Sequence, residues 1–217
     1  MTTIAPRSAG PGFGERATWT AARVLIVVVS GLAVGAATLV LQRHLSPPWS
    51  GLVNAVSPWV APAFLAGTLW RRPAAAALAG LAMCLLEVLG YYGLAALQGR
   101  PFGPDITLYW TAFAFIGGPV FGVAGWAWWR ASGWPWALGA AAMPAAWMAE
   151  ALVFFQLRWH RPATAALFIA IGVAAYGLLA LRGRRFPELA EGLLVMVPLG
   201  IAGEVGVSVV WAVATRL

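Results

Sequence analysis

The chain has 217 residues, of which 61% are hydrophobic and only 10% are charged. Soluble globular domains are about 45–50% apolar and about 25% charged, so this composition excludes a soluble domain and indicates a membrane protein. All 14 basic residues are arginine and the net charge is +7. Because the arginines lie singly or in short clusters between apolar runs, they indicate membrane topology, and we expect no nucleic acid as a partner.

Seven apolar runs, bounded by arginine, proline and glycine clusters, predict transmembrane helices. Before them, residues 1–22 are rich in Gly, Pro and Ala and predict a mobile tail. The expected fold class is an all-α, polytopic transmembrane helical bundle formed by residues 23–217. Its predicted spans are residues 24–41, 52–70, 73–97, 106–129, 135–155, 162–181 and 189–213.

The arginines also predict the orientation of the bundle in the cell (plasma) membrane. Nine of them lie on the same side as the N-terminus, and five lie on the opposite side. Cytoplasmic segments carry the excess of arginine, so we expect a cytoplasmic N-terminus and an outside C-terminus. The nine are Arg7, Arg16, Arg23, Arg71, Arg72, Arg130, Arg182, Arg184 and Arg185.

After the first helix, the chain divides into three helical hairpins. Each has a short inner turn that carries arginine, followed by an odd-numbered helix with a glutamate well inside it, namely Glu87, Glu150 or Glu204. The last two share a proline six residues earlier, in "PAAWMAE" and "PLGIAGE". This pattern predicts three helical-hairpin repeats with carboxyl groups at a similar depth, which is one way to build a pseudo-symmetric transporter. An old duplication that left only packing in common is the alternative.

The three intramembrane glutamates are the strongest functional signal. An acidic side chain at the centre of a span costs roughly 2.5–3.5 kcal/mol on insertion, so it normally faces the bundle interior or a water-filled cavity. Three states stay open: a protonated and hydrogen-bonded carboxyl, an ionised carboxylate that binds a cation, and alternation between the two.

Neighbours at helical spacing extend this candidate site. Tyr91 follows Glu87 by one turn and Ser208 follows Glu204 by one turn, so each hydroxyl can hydrogen-bond a carboxyl. Trp147 precedes Glu150 by three residues, and an aromatic ring beside a carboxylate suits an organic cation. The candidate substrate- or ion-binding residues are therefore Glu87, Glu150, Glu204, Tyr91, Trp147 and Ser208.

The glycine-rich stretch "GGPVFG", residues 117–122, has two interpretations. A helix broken at Pro119 would expose backbone carbonyls to a substrate. Alternatively, its glycines allow close helix packing around a kink.

Three short stretches carry a resemblance to a known family. They are "SPWVAPAFLAG" at 57–67, "GYYG" at 90–93 and "GGPVFGVAGWAWWR" at 117–130. Over residues 57–150 the chain resembles a family of multi-pass actinobacterial membrane proteins of unknown function. The resemblance implies a membrane protein, and it supplies no activity, substrate or catalytic residue.

Motifs for catalysis and metal binding are absent from the sequence. It contains no HExxH, no GxSxG and no Walker-type glycine loop, and two histidines with one distant cysteine do not form a usual metal site. We therefore expect no enzyme, cofactor or metal. The leading hypothesis is a transporter or substrate-binding membrane subunit for a small solute, proton or cation, and the alternative is a membrane scaffold. The lipid bilayer and either another membrane protein or a second copy are the expected partners.

Overall fold

The computed structural model describes residues 13–182 and 185–214, and the side chains of residues 18–182 and 185–205. Every regular element in this part of the chain is helical. The helices are α1 (Phe13–Leu41), α2 (Val56–Thr68), α3 (Pro73–Leu97), α4 (Pro104–Arg130), α5 (Gly133–Glu150), α6 (Pro162–Leu181) and α7 (Phe186–Ala214). A short 3₁₀ helix, Trp49–Val53, precedes α2, and a π-helix, Ala151–Arg158, continues α5.

Within the described residues, six helices are long and apolar enough to cross a membrane, rather than the seven predicted. The exception is α2, because its 13 residues span only about 20 Å of the roughly 30 Å hydrocarbon layer. The predicted span 52–70 is therefore wrong in length. Proline lacks an N–H and is tolerated in the first turn, so α2 begins just before Pro58, and the residues ahead of it form the 3₁₀ turn.

The first helix begins earlier than expected. α1 starts at Phe13, whereas the sequence predicted a tail through residue 22, and residues 1–12 lie outside the described part. Glu15, Arg16 and Ala17 have good helix propensity, and the helix therefore continues for two to three turns on the N-terminal side of the apolar run.

The helices form two connected groups. α3 packs between α1 and α4, α5 packs between α6 and α7, and α2 and α4 join the two groups. The first two predicted hairpins, α2–α3 and α4–α5, pack as pairs, but α6 and α7 pack mainly on α5. The third hairpin therefore differs in packing from the other two.

Glycines bring α2, α3 and α4 into close contact. A Cβ atom at Gly122 would lie 2.3 Å from the carbonyl oxygen of Ala76, and one at Gly67 would lie 1.9 Å from the carbonyl oxygen of Gly122. α4 continues as one helix through Pro119. The broken-helix interpretation of "GGPVFG" is therefore wrong, and its glycines serve close helix packing.

The two ends of the bundle are named here by their arginines. Arg71 lies in the turn between α2 and α3, at the end where α4 and α6 also finish. Arg158 lies at the opposite end, where α1 and α3 finish and where α2, α4 and α6 begin. These are called the Arg71 end and the Arg158 end.

Candidate functional site

The carboxylate of Glu150 receives three hydrogen bonds from the start of α2. The backbone N–H of Val56 donates to Oε1 at 2.6 Å, and the backbone N–H of Ser57 donates to Oε2 at 2.8 Å. The hydroxyl of Ser57 also donates to Oε2, at 2.6 Å. Glu150 is only 2% exposed, so these contacts replace its water shell.

This arrangement follows from the local chemistry of α2. The first N–H groups of a helix have no partner within the helix, and Ala55, at the N-cap position, has no side chain that can accept them. A carboxylate satisfies these donors and interacts favourably with the positive end of the helix dipole. Glu150 therefore caps α2 from a different helix, and this is a structural role for a buried carboxyl group.

Glu150 also lines a cavity of about 250 Å³ at the Arg158 end, together with Glu204. Glu204 reaches it because Gly200 packs closely against Ala149, one residue before Glu150. Glu204 is half-buried. Two of the three predicted carboxyl groups thus meet at one cavity. The remaining lining residues are Asn54, Ala55, Val56, Ile106, Tyr109, Trp110, Phe154, Arg158 and Trp159.

Four aromatic residues and one arginine are among the residues that line this cavity. Phe154 and Trp159 lie with ring centroids 4.9 Å apart, at the π-helix and just beyond it. π-Helices often occur at functional sites because the extra residue per turn redirects side chains. The predicted site lacked Tyr109, Trp110 and Arg158, and the only signal in the sequence was the density of aromatic residues in "LYW" and "FFQLRWH".

Glu87 does not join the other two carboxyl groups. It is fully buried in α3, and within the described residues neither of its carboxyl oxygens has a hydrogen-bond partner. Its backbone carbonyl lies against α1, where a Cβ atom at Gly35 would lie 2.0 Å away. Glu87 lines neither the cavity of Glu150 and Glu204 nor a second cavity, which Tyr91 lines.

The other predicted residues lie elsewhere. Tyr91 lines a second cavity and its hydroxyl donates to Oε1 of Gln42 at 2.7 Å. Trp147 is buried against Phe168, with ring centroids 4.8 Å apart, and it packs in the core instead of lining the cavity. The side chain of Ser208 lies outside the described residues.

No group of three metal-ligating side chains occurs among the residues that the structure describes. The cavity is lined by two carboxyl groups, four aromatic rings, one side-chain amide and one guanidinium.

Comparison with known proteins gives one family. The model of "Family of unknown function (DUF6518)" matches residues 14–213, which extends well beyond the stretch 57–150 that carries the sequence resemblance. No curated protein and no solved structure matches this chain.

Proposed function

The chain belongs to this family of unknown function, and we propose that it binds and transports a small organic cation through the cavity between Glu150 and Glu204. The observation that supports this most is the meeting of two carboxyl groups from α5 and α7 at one cavity with aromatic walls. Ionisable side chains within membrane spans commonly mark solute and ion pathways.

The charges of the cavity favour a cation. With both groups ionised, the two carboxylates outnumber the one guanidinium, that of Arg158, by one negative charge. The oxygens of Glu150 already accept hydrogen bonds from α2, so Glu204 is the carboxylate proposed to contact the solute. Tyr109 and Trp110 supply aromatic rings, to which an ammonium group is attracted by roughly 0.5–2 kcal/mol, whereas the guanidinium of Arg161 already lies 4.6 Å from the ring centroid of Trp159.

The excess of arginine at the Arg71 end supports a cytoplasmic position for that end of the protein in the plasma membrane. In this orientation the cavity lies at the outer end of the bundle, so uptake is the proposed direction of transport.

Uptake of radiolabelled tetraethylammonium into proteoliposomes tests this proposal. We expect uptake by the unchanged protein and a loss of about tenfold or more in Glu204→Gln, because a charge-assisted contact in a partly dry site is removed. Glu191→Gln is the matched control, since Glu191 lies on the same helix, is exposed and is remote from the cavity. Equal uptake by the two variants would contradict the proposal.

A scaffold without transport is the second candidate function, and a specific observation favours it. Both carboxyl oxygens of Glu150 accept hydrogen bonds from the start of α2, and glycines allow α2, α3 and α4 to pack closely. A scaffold would neither bind nor carry the cation, whereas a substrate-binding subunit would bind it without uptake in the absence of its partner. Binding and uptake measured together therefore separate the three roles.

A further inference from the structure

A second cavity of about 410 Å³ lies beside the first at the Arg158 end. Asn54, Ile106 and Trp110 line both cavities and so form a common wall. The volume falls in the range of roughly 300–1,000 Å³ that is usual for sites of organic ligands. The proposed cation site does not use this space.

The polar side of this second cavity is held in place by hydrogen bonds. The amide of Gln42 donates to the carbonyl of Val53 at 3.0 Å and to Oδ1 of Asn54 at 3.2 Å. Its oxygen accepts from the hydroxyl of Tyr91 at 2.7 Å. Because the donors and acceptors of Gln42 are occupied, this wall is rigid and presents the phenol of Tyr91 and the amide of Asn54 at fixed positions.

Further aromatic rings and one positive charge also line this cavity. Trp59 and Trp110 stack with ring centroids 5.1 Å apart, and Tyr92 and Phe102 pack with centroids 5.0 Å apart. Arg100 is half-buried, and it is the one charged residue among the described residues that line this cavity. Guanidinium groups bind carboxylates with two parallel hydrogen bonds, which sets both orientation and specificity.

We propose that this second cavity is a binding site for a small organic anion, a carboxylate with an aromatic or apolar body. Arg100 binds the carboxylate, the stacked rings of Trp59 and Trp110 enclose the body, and the wall of Tyr91, Gln42 and Asn54 fixes the polar edge. The site differs from the cation site in charge and in most of its lining, so it does not depend on the proposed transport activity.

Calorimetric titration of the full chain in nanodiscs with benzoate tests this site, with empty nanodiscs as the reference. Benzoate is expected to bind, and benzyl alcohol, which has the same ring without the charge, is expected to bind at least about tenfold more weakly. Arg100→Gln should weaken benzoate binding by about tenfold or more. Arg43→Gln is the control, because Arg43 lies at the same end, is exposed and donates to Gln98 instead of lining the cavity.

Absence of benzoate binding would overturn the proposal, and so would equal binding to the Arg100→Gln and Arg43→Gln variants. Arg100→Lys retains the charge but loses the paired hydrogen bonds, and it should fall between the unchanged protein and Arg100→Gln. This graded series keeps the result interpretable if one variant folds poorly.

Discussion

At the scale of single residues, Glu150 has a role that the sequence alone did not indicate. Its carboxylate satisfies two backbone N–H groups and one hydroxyl at the start of α2. Glu150→Gln therefore changes both the fold and the cavity, and a loss of transport in that variant would not identify a solute contact. Glu204, which has no such task, is the better residue for testing function.

The cap leads to a stability prediction. Glu150→Ala leaves buried donors without a partner and should lower the free energy of unfolding by about 1–3 kcal/mol or more. Ser57→Ala removes only the hydroxyl donor and should cost about 1 kcal/mol. Thermal unfolding in detergent checks the order Glu150→Ala below Ser57→Ala below the unchanged protein. An unfolding temperature for Glu150→Ala equal to that of Glu191→Gln, an exposed control, would disprove the cap.

Glu87 gives the opposite prediction. Within the described residues its carboxyl oxygens have no partner, and burying an unpaired polar group is costly. Glu87→Met replaces it with an apolar side chain of similar length and should raise the unfolding temperature by a few degrees, corresponding to about 1 kcal/mol or more. If Glu87→Met instead lowers this temperature, Glu87 has a stabilising partner and the assignment fails.

At the scale of helices, α2 is the element that shapes the site. A full-length helix there would carry its N-terminus to the membrane surface, whereas the short helix starts inside the bundle and directs its N–H groups to Glu150. Irregular backbone at such depth is tolerated when it is buried in protein, and Val53 and Ala55 are nearly inaccessible. The segment between the 3₁₀ turn and the start of α2 thus both lines the cavity and donates hydrogen bonds to Glu150.

The crossing of α2, α3 and α4 makes a second testable feature. In Gly122→Ala the new methyl would meet the backbone of Ala76, which cannot move aside as a side chain would, so we expect a loss of about 1–3 kcal/mol. Gly177→Ala is the control, because nothing lies within 4 Å of a Cβ atom there. Its better helix propensity should leave stability unchanged or slightly higher. Equal unfolding temperatures for the two variants would contradict the close crossing.

At the scale of the whole molecule, the sequence predicted the features that depend on local composition. Membrane class and six spans follow from the length of apolar runs, and the predicted spans 73–97 and 162–181 coincide with α3 and α6. The shortness of α2 was missed because hydropathy does not distinguish a buried half-length helix from a spanning one.

The site itself was predictable only in part, because it is assembled from distant segments. Glu150 meets residues 93 and 94 positions earlier in the chain, and no periodic pattern encodes that contact. Similar predicted depth suggested that the three glutamates would form one site, but Glu87 lies on α3, which packs on α1 and α4, while Glu204 lies on α7, which packs on α5. Trp147 was placed beside Glu150 by helical spacing, yet its ring fills the core against Phe168.

Membrane orientation is a further prediction at this scale. Ser46 lies exposed at the Arg158 end and Ser132 lies exposed at the Arg71 end. With the buried Cys84 changed to alanine, Ser46→Cys should react in intact cells with a membrane-impermeant maleimide. Ser132→Cys should react only after permeabilisation, and the reverse pattern would contradict a cytoplasmic Arg71 end.

The central claim is that the cavity of Glu150 and Glu204 binds a small organic cation. Equilibrium dialysis of radiolabelled tetraethylammonium against the protein in nanodiscs measures this directly, independently of transport. We predict saturable binding that Glu204→Gln weakens by about tenfold or more and that Glu191→Gln leaves unchanged. No saturable binding, or equal affinity in the two variants, would contradict the claim.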